Sequence, residues 1–480
     1  MSQNRQVYLL DPHQLTPETI AVTFAKTSRS PQSFQEIVDE LTDEKSAEFH
    51  EKWVVGYGHA SVAEHAVLHI AVENVSRLAV ECLESNRLAS YTEKSTRYQK
   101  WNEDSFYIPK ELDDQPALKE NYIKTNHLLF KSYLESLPIV REEIGKRNPR
   151  RPEESESAWE RRIRSDYVDV CRFLLPASAL ANVGMTINAR ALEHAIRKML
   201  SHPLDEVQTM GKEIKQVSKN NVPTLVKYAD SVPHWIKVAN SFHFEAENIL
   251  IQEDNSNWCK LVHYDQDAVK LVLAGLLVKN SVVSFDQTYR YLQQLDQSHL
   301  ENLVKQVVED IERFDIPARE LEYATFTFEV LIDQGAYFEI KRHRMMTQTV
   351  QPISTLLGYA VPRCIVDAGF EFEYHKAMQS AHKTFTQIAE WNPHVAGYLV
   401  PNGYNRRLLL RANIRSLDHL INLRSAQNAH FSVRRLAQRL SEEIQLINPL
   451  LSYWIRKNNS ETSISVETEY FNETARNPEF

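Results

Sequence analysis

Two segments of this chain concentrate residue types that bind anions. Arg342-His343-Arg344 stands in FEIKRHRMMTQTVQPISTLLGYAVP, and Ser95, Arg97 and Tyr98 stand in ECLESNRLASYTEKSTRYQKW. A guanidinium is a planar fork that takes a phosphate through two parallel N–H donors, and a serine hydroxyl supplies another. The two segments align with each other. Where the second carries the cationic triplet, the first reads Ser85-Asn86-Arg87; where the first carries Ser-x-Arg-Tyr, the second reads STLLGY. A further pair matches at i, i+2 and i+6: Asn188, Arg190 and His194 with Asn413, Arg415 and His419. The chain therefore reads as a duplication whose halves supply different parts of one site.

These residues need elements to hold them. Ala324, Phe326, Phe328 and Val330 alternate as in a strand, followed by a helix that ends in the cations. The block 63–87 matches 321–344, and 185–200 matches 410–425. RQVYLLDPHQ near the start and NWCKLVHYDQ after residue 256 each read as a short β-like run, a turn with Asp, then a helix. Leu303, Val307, Val308 and Ile311 share one face of a helix within 299–314. The segment 142–166 alternates in charge sign, which fits a solvated helix with i,i+4 pairs or a mobile insertion. The expected division is an N-terminal unit at 1–235, a linker at 236–256 and a C-terminal unit at 257–480.

Composition narrows the class. At 480 residues the chain exceeds what one hydrophobic core usually serves. A net charge of −9 argues against a broad nucleic-acid surface, and no nucleic-acid partner is expected. The four cysteines (Cys82, Cys171, Cys259, Cys364) are widely separated and form no CxxC, as in a reduced cytoplasmic protein without metal site or disulfide framework. The N-terminus lacks a signal-peptide pattern, and the most apolar run, 268–278, is too short to cross a bilayer.

The motifs in their order resemble one family. GHASVAEHA (58–66), NRLASYTEKSTRY (86–98), CRFLLP (171–176) and NARALEH (188–194) fall in the first half; RHR (342–344), LVP (399–401) and NIRSLDHLINLRSAQNAH (413–430) fall in the second. They resemble the flavin-dependent thymidylate synthases of the ThyX type, twice over nearly the whole chain. The resemblance implies an α+β fold in two tandem units, each a mostly antiparallel sheet flanked by long helices. It implies methyl transfer from methylenetetrahydrofolate to carbon 5 of dUMP, yielding dTMP, with FAD as cofactor and NADPH as reductant. It places Arg342, His343, Arg344, Asn413, Arg415, His419, His430 and His59 at the flavin. It places Glu93, Ser95, Arg97 and Arg172 at the substrate, with Arg424 against the uracil ring as the catalytic cation. The plain alternatives are a helix C-terminus stabilised by its cations at 341–344, a surface arginine at 424 and a capping box at Ser61 and Glu64.

Neither half keeps the whole pattern. The first has Met199 where the second has Arg424; in the second, Pro352 falls where the family has serine, and the HxSxxEH block has become PARELEY (317–323). The losses are complementary, so the expected site is composite: Ser95, Arg97 and Arg172 joined to Arg342, His343, Arg344, Asn413, Arg415 and Arg424. Two such chains would imitate the family tetramer, which makes a homodimer the expected assembly. The other functions open to this pattern are the same chemistry on another uridine nucleotide and a non-catalytic flavin- or nucleotide-binding scaffold.

Overall fold

The computed structural model describes residues 6–28, 30–56, 60–97, 99–246, 248–249, 257–312, 314–458 and 460–476. Three antiparallel sheets and many helices make it a mixed α+β structure. By compactness the chain divides into Met1–Lys94, Tyr107–Gln115 and Leu180–Ile251 as one unit, and Ser95–Phe106, Pro116–Ala179 and Gln252–Phe480 as the other. Segments 95–106 and 116–179, which precede the expected linker, thus belong with the C-terminal half of the sequence.

The first unit holds a sheet of β1 (Val67–Ser76), β2 (Ala89–Glu93) and β3 (Leu180–Asn188), in the order β1-β3-β2. Ala181, Val183, Met185 and Ile187 alternate along β3 and are buried, the period expected of a strand with one face on a core. Asn188 ends β3 and caps the helix Ala189–Leu200, its side-chain oxygen accepting from the Ala191 amide. Met199 on that helix is fully buried, as core packing requires. The β-like run expected near the start is not a strand: residues 6–10 join no sheet, and Val7 and Leu9 are more than nine-tenths exposed. Its counterpart in the second half is a strand, because a sheet edge is there to receive it.

In the second unit β4 (Cys259–Tyr264), β5 (Thr325–Asp333), β6 (Thr347–Val350) and β8 (Asn405–Asn413) pair in the order β4-β5-β8-β6. The run β5-β8-β6 repeats the order of β1-β3-β2, and Thr325 opposes Asn413 as Val67 opposes Asn188. A small sheet pairs β7 (Tyr359–Pro362) with β9 (Phe471–Arg476). The helix over 299–314 is shorter than its apolar face suggests. It spans Gln297–Gln306, and the chain beyond turns through Asp310 at φ 58°. The charged stretch 142–166 falls on two helices, Pro116–Arg147 and Glu156–Cys171, tied by Arg141–Glu160 at 2.7 Å, and Lys146 pairs with Glu142 at 3.1 Å one turn away on the first of them.

The two matched segments that end in proline, 171–176 and 399–401, meet inside this unit. Ala177 N–H donates to the Val400 carbonyl at 2.9 Å and Asn402 N–H to the Leu175 carbonyl at 2.9 Å. Gly403 N–H donates to the Phe173 carbonyl at 2.9 Å; a Cβ there would stand 2.7 Å from the Tyr374 hydroxyl, so the close approach requires glycine. The long helices Pro116–Arg147 and Glu371–Ala389 also touch, with Thr125 and Thr384 hydroxyls 2.7 Å apart. This pairing brings the Ser95–Arg97 loop and Arg172 into the unit that carries Arg342–Arg344.

Candidate functional site

Asp333 ends β5 and caps the helix Gln334–Ile340, accepting from the Ala336 amide at 2.8 Å. That short helix is buried throughout, and Glu339 lies in its last turn. The chain then turns through Lys341–Arg344, where Gln348 holds the bend by donating to the Ile340 and His343 carbonyls at 3.2 and 3.0 Å. On the other flank, β8 leads through the Asn413 cap into the helix Ile414–Arg424, which ends at Arg424. The helix Glu156–Cys171 and the turn after it deliver Asp169 and Arg172, and the loop after β2 delivers Ser95, Thr96 and Arg97.

These groups form one continuous chain of ionic contacts within the second unit. Arg97 grips Asp169 bidentately, Nε at 2.9 and 3.0 Å and Nη2 at 2.7 Å. Asp169 also lies 3.6 Å from Arg172 Nε, and Arg172 Nη1 donates to the Thr96 hydroxyl at 3.1 Å. Arg172 Nη1 stands 4.0 Å from Glu339. Glu339 accepts from Arg424 Nη1 at 2.8 Å, and its backbone carbonyl accepts from Arg424 Nη2 at 3.2 Å. Arg424 Nε donates to His343 Nε2 at 3.0 Å, and the His343 ring meets the His419 ring edge-on at 5.6 Å. Arg97 and Arg172 from the first half of the sequence therefore stand with His343 and Arg424 from the second.

The electrostatics follow from burial and charge. Burial alone would raise the Glu339 carboxyl, but Arg172, Arg342, Arg424 and Arg97 outweigh it and hold the group below the usual carboxylate range. Burial, reinforced by Arg424, pushes His343 down to about 3. Its Nε2 accepts from Arg424, so the neutral ring carries its proton on Nδ1. His430 is fixed as well. Its Nδ1 accepts from the Ser432 amide at 3.2 Å, capping the helix Phe431–Ile447, and its Nε2–H donates to the Asp169 carbonyl at 3.3 Å. Burial holds it well below the ordinary histidine value.

The remaining expected residues fall in different places. Arg342 is exposed and Arg344 half-buried on the turn beyond Glu339. Asn413 uses its side chain as a helix cap, accepting from the Ser416 amide at 2.8 Å. Arg415 reaches back to PARELEY, donating to Glu322 at 2.6 Å and to the Pro317 carbonyl at 3.1 Å. Arg190 makes the equivalent pair with Glu64 in the first unit, so this contact is a repeated feature of the duplicated fold. Ser95 accepts from the Arg97 amide at 3.2 Å, shaping the loop. Glu93 belongs to the first unit, where it pairs with Arg77 at 2.9 Å, both side chains buried. His59 lies outside the described residues, as does Tyr98.

A cavity of about 620 Å³ opens beside the cluster, with Arg97, Asp166, Asp169, Phe431, Arg434 and Tyr470 among its walls. Arg434 stacks over the Tyr470 ring at 4.8 Å and pairs with Glu461 at 2.9 Å. Asp169 and Glu339 were not expected from sequence. Asp169 stands three residues before Arg172, a spacing that a helical turn brings together, while the arginines that meet Glu339 are distant in sequence. Among the described residues no group of three or more His, Cys, Asp or Glu is placed to hold a metal ion, and no helix is long and apolar enough to cross a membrane.

Comparison with known proteins agrees with the duplicated pattern. The family described as thymidylate synthase complementing protein (Thy1) matches residues 10–224 and again 260–450. A UPF0159 protein of Chlamydia pneumoniae is 31% identical over 440 residues, covering 88% of this chain and 82% of the relative. A flavin-dependent thymidylate synthase of Clostridium tetani is 26% identical over 214 residues, 44% of this chain and 82% of that one. Among solved structures, the flavin-dependent thymidylate synthase ThyX of Helicobacter pylori, complexed with FAD and dUMP, shares 18% identity, covers 42% of this chain and 100% of its own, and superposes with a TM-score of 0.31. With both halves of its sequence matched, this chain belongs to the thymidylate synthase complementing protein family.

Proposed function

We propose that this chain transfers a methyl group to carbon 5 of a uridine nucleotide, dUMP in the simplest case, with FAD, NADPH and methylenetetrahydrofolate. The observation that carries this reading is the joining of Arg97 and Arg172 to His343 and Arg424 in one compact unit. Each half of the sequence lacks part of the family pattern, and the parts that survive are neighbours. The residues also suit the flavin. Arg342 and Arg344 present cations on an accessible turn, where they would hold its diphosphate, and FAD would supply the redox chemistry.

In this reading Ser95, Arg97 and Arg172 hold the nucleotide phosphate. Arg424, kept in one orientation by Glu339 and His343, presents a fixed positive charge to the pyrimidine, where it stabilises negative charge developing on the ring. His343 stays neutral and orients Arg424 without adding charge. The cavity beside Arg97 and Asp169 offers room for ligand next to the cluster. A second reading, the same chemistry on a different uridine derivative, is favoured by the two carboxylates placed among the arginines. The direct test is purification followed by a visible spectrum: a bound flavin bleached by NADPH supports the proposal, and dTMP formed from dUMP distinguishes the first substrate from the second. A colourless protein that takes up no added FAD overturns both.

A further inference from the structure

The arginine cluster carries its own anions. Arg97, Arg172 and Arg424 are met by Asp169 and Glu339, with contacts of 2.7 Å from Arg97 to Asp169, 3.6 Å from Arg172 to Asp169, 4.0 Å from Arg172 to Glu339 and 2.8 Å from Arg424 to Glu339. Asp169, Arg172 and Glu339 are all less than a tenth exposed. The carboxylate of Glu339 thus lies between the guanidinium expected at the phosphate and the guanidinium expected at the base. An incoming phosphate meets arginines already paired with carboxylates, and in a water-poor site the two negative groups repel each other across a short distance. A cluster meant to grip a dianion firmly would leave its forks to the ligand.

We propose that Glu339 is a specificity-determining residue, an internal counter-anion that removes much of the affinity the cluster would otherwise have for a nucleotide phosphate. The proposal rests on the nucleotide reading given above and deepens it. Ser95, Arg97 and Arg172 still position the phosphate, but the net affinity it adds is small, because the carboxylates offset the charge of the arginines. Asp169 shares the effect at Arg97, but its bidentate grip also holds the loop that carries Ser95 and Thr96, so Glu339 is the cleaner position to change.

The test is calorimetric titration of the full chain with dUMP and with 2′-deoxyuridine, which differ only in the phosphate. The wild type should bind the two within about threefold of each other, because the carboxylates offset the phosphate contacts. Glu339→Gln keeps the size of the side chain and one acceptor oxygen without the charge, and should raise the ratio of dUMP to deoxyuridine affinity by about tenfold or more, whatever it does to the shared contacts of the base. Glu339→Asp, which retains the charge, should keep the wild-type ratio. A Gln variant with an unchanged or lowered ratio overturns the inference. The wild-type ratio tests it independently of the variant's folding: a preference for dUMP above about thirtyfold overturns the counter-anion role and leaves the nucleotide function standing. Absence of binding by either ligand, in wild type and Gln variant alike, overturns the nucleotide reading together with this one.

Discussion

Arg424 holds Glu339 and His343 at once, donating from Nη1 to the carboxylate at 2.8 Å and from Nε to the imidazole at 3.0 Å. Two directions of a rigid fork are fixed by two buried partners. A lysine has a single ammonium on a flexible stem and cannot reproduce both contacts. Arg424→Lys should therefore lower methyl transfer by about 100-fold or more, the range seen when a fixed transition-state donor is removed. Initial rates with dUMP would show it. Activity within about threefold of wild type would remove Arg424 from the role proposed for it.

His343 makes stability depend on pH. Folded, the ring protonates only near about 3; unfolded, it does so near the ordinary value of about 6.5. Between those values the unfolded chain binds more protons, so stability falls as pH falls through this window. The loss is up to about 1.4 kcal/mol per pH unit, and this group adds no dependence above the window. His430, buried and lowered too, acts in the same direction. Urea unfolding from pH 7 down to 4 should show the slope, and His343→Gln should reduce it. An unchanged slope in that variant would mean the ring is not held neutral.

Arg97 and Asp169 are coupled. Removing the arginine leaves a carboxylate, itself 4% exposed, with only the longer contact to Arg172. Arg97→Ala should cost about 3 kcal/mol of stability, the low end of the range for breaking a buried pair. Arg97→Ala combined with Asp169→Asn should be more stable than the sum of the single losses predicts, since the stranded charge is gone. Denaturant unfolding of the four proteins gives the coupling energy, and strict additivity would contradict the pairing.

The sequence carried much of this site because duplication offers an internal comparison. The complementary losses set Ser95, Arg97 and Arg172 against Arg342, His343, Arg344, Asn413, Arg415 and Arg424, and of these Arg97, Arg172, His343 and Arg424 are linked through Asp169 and Glu339. Matched spacing alone could not separate ligand contacts from scaffolding. Asn413 and Arg415 repeat in both halves, and in both halves they cap a helix and pair with a glutamate. Asp169 and Glu339 are not legible in the sequence, because acidic residues do not fit a pattern of phosphate binding. Only three-dimensional packing shows that they answer the arginines.

The measurement closest to the central claim is dTMP formation from dUMP by the purified chain with methylenetetrahydrofolate, FAD and NADPH, in wild type, Arg97→Ala and Arg344→Ala. One residue comes from each half of the sequence. A composite site predicts an active wild type and a loss of about 100-fold or more in each variant. Full activity and unchanged ligand binding in either variant would contradict it.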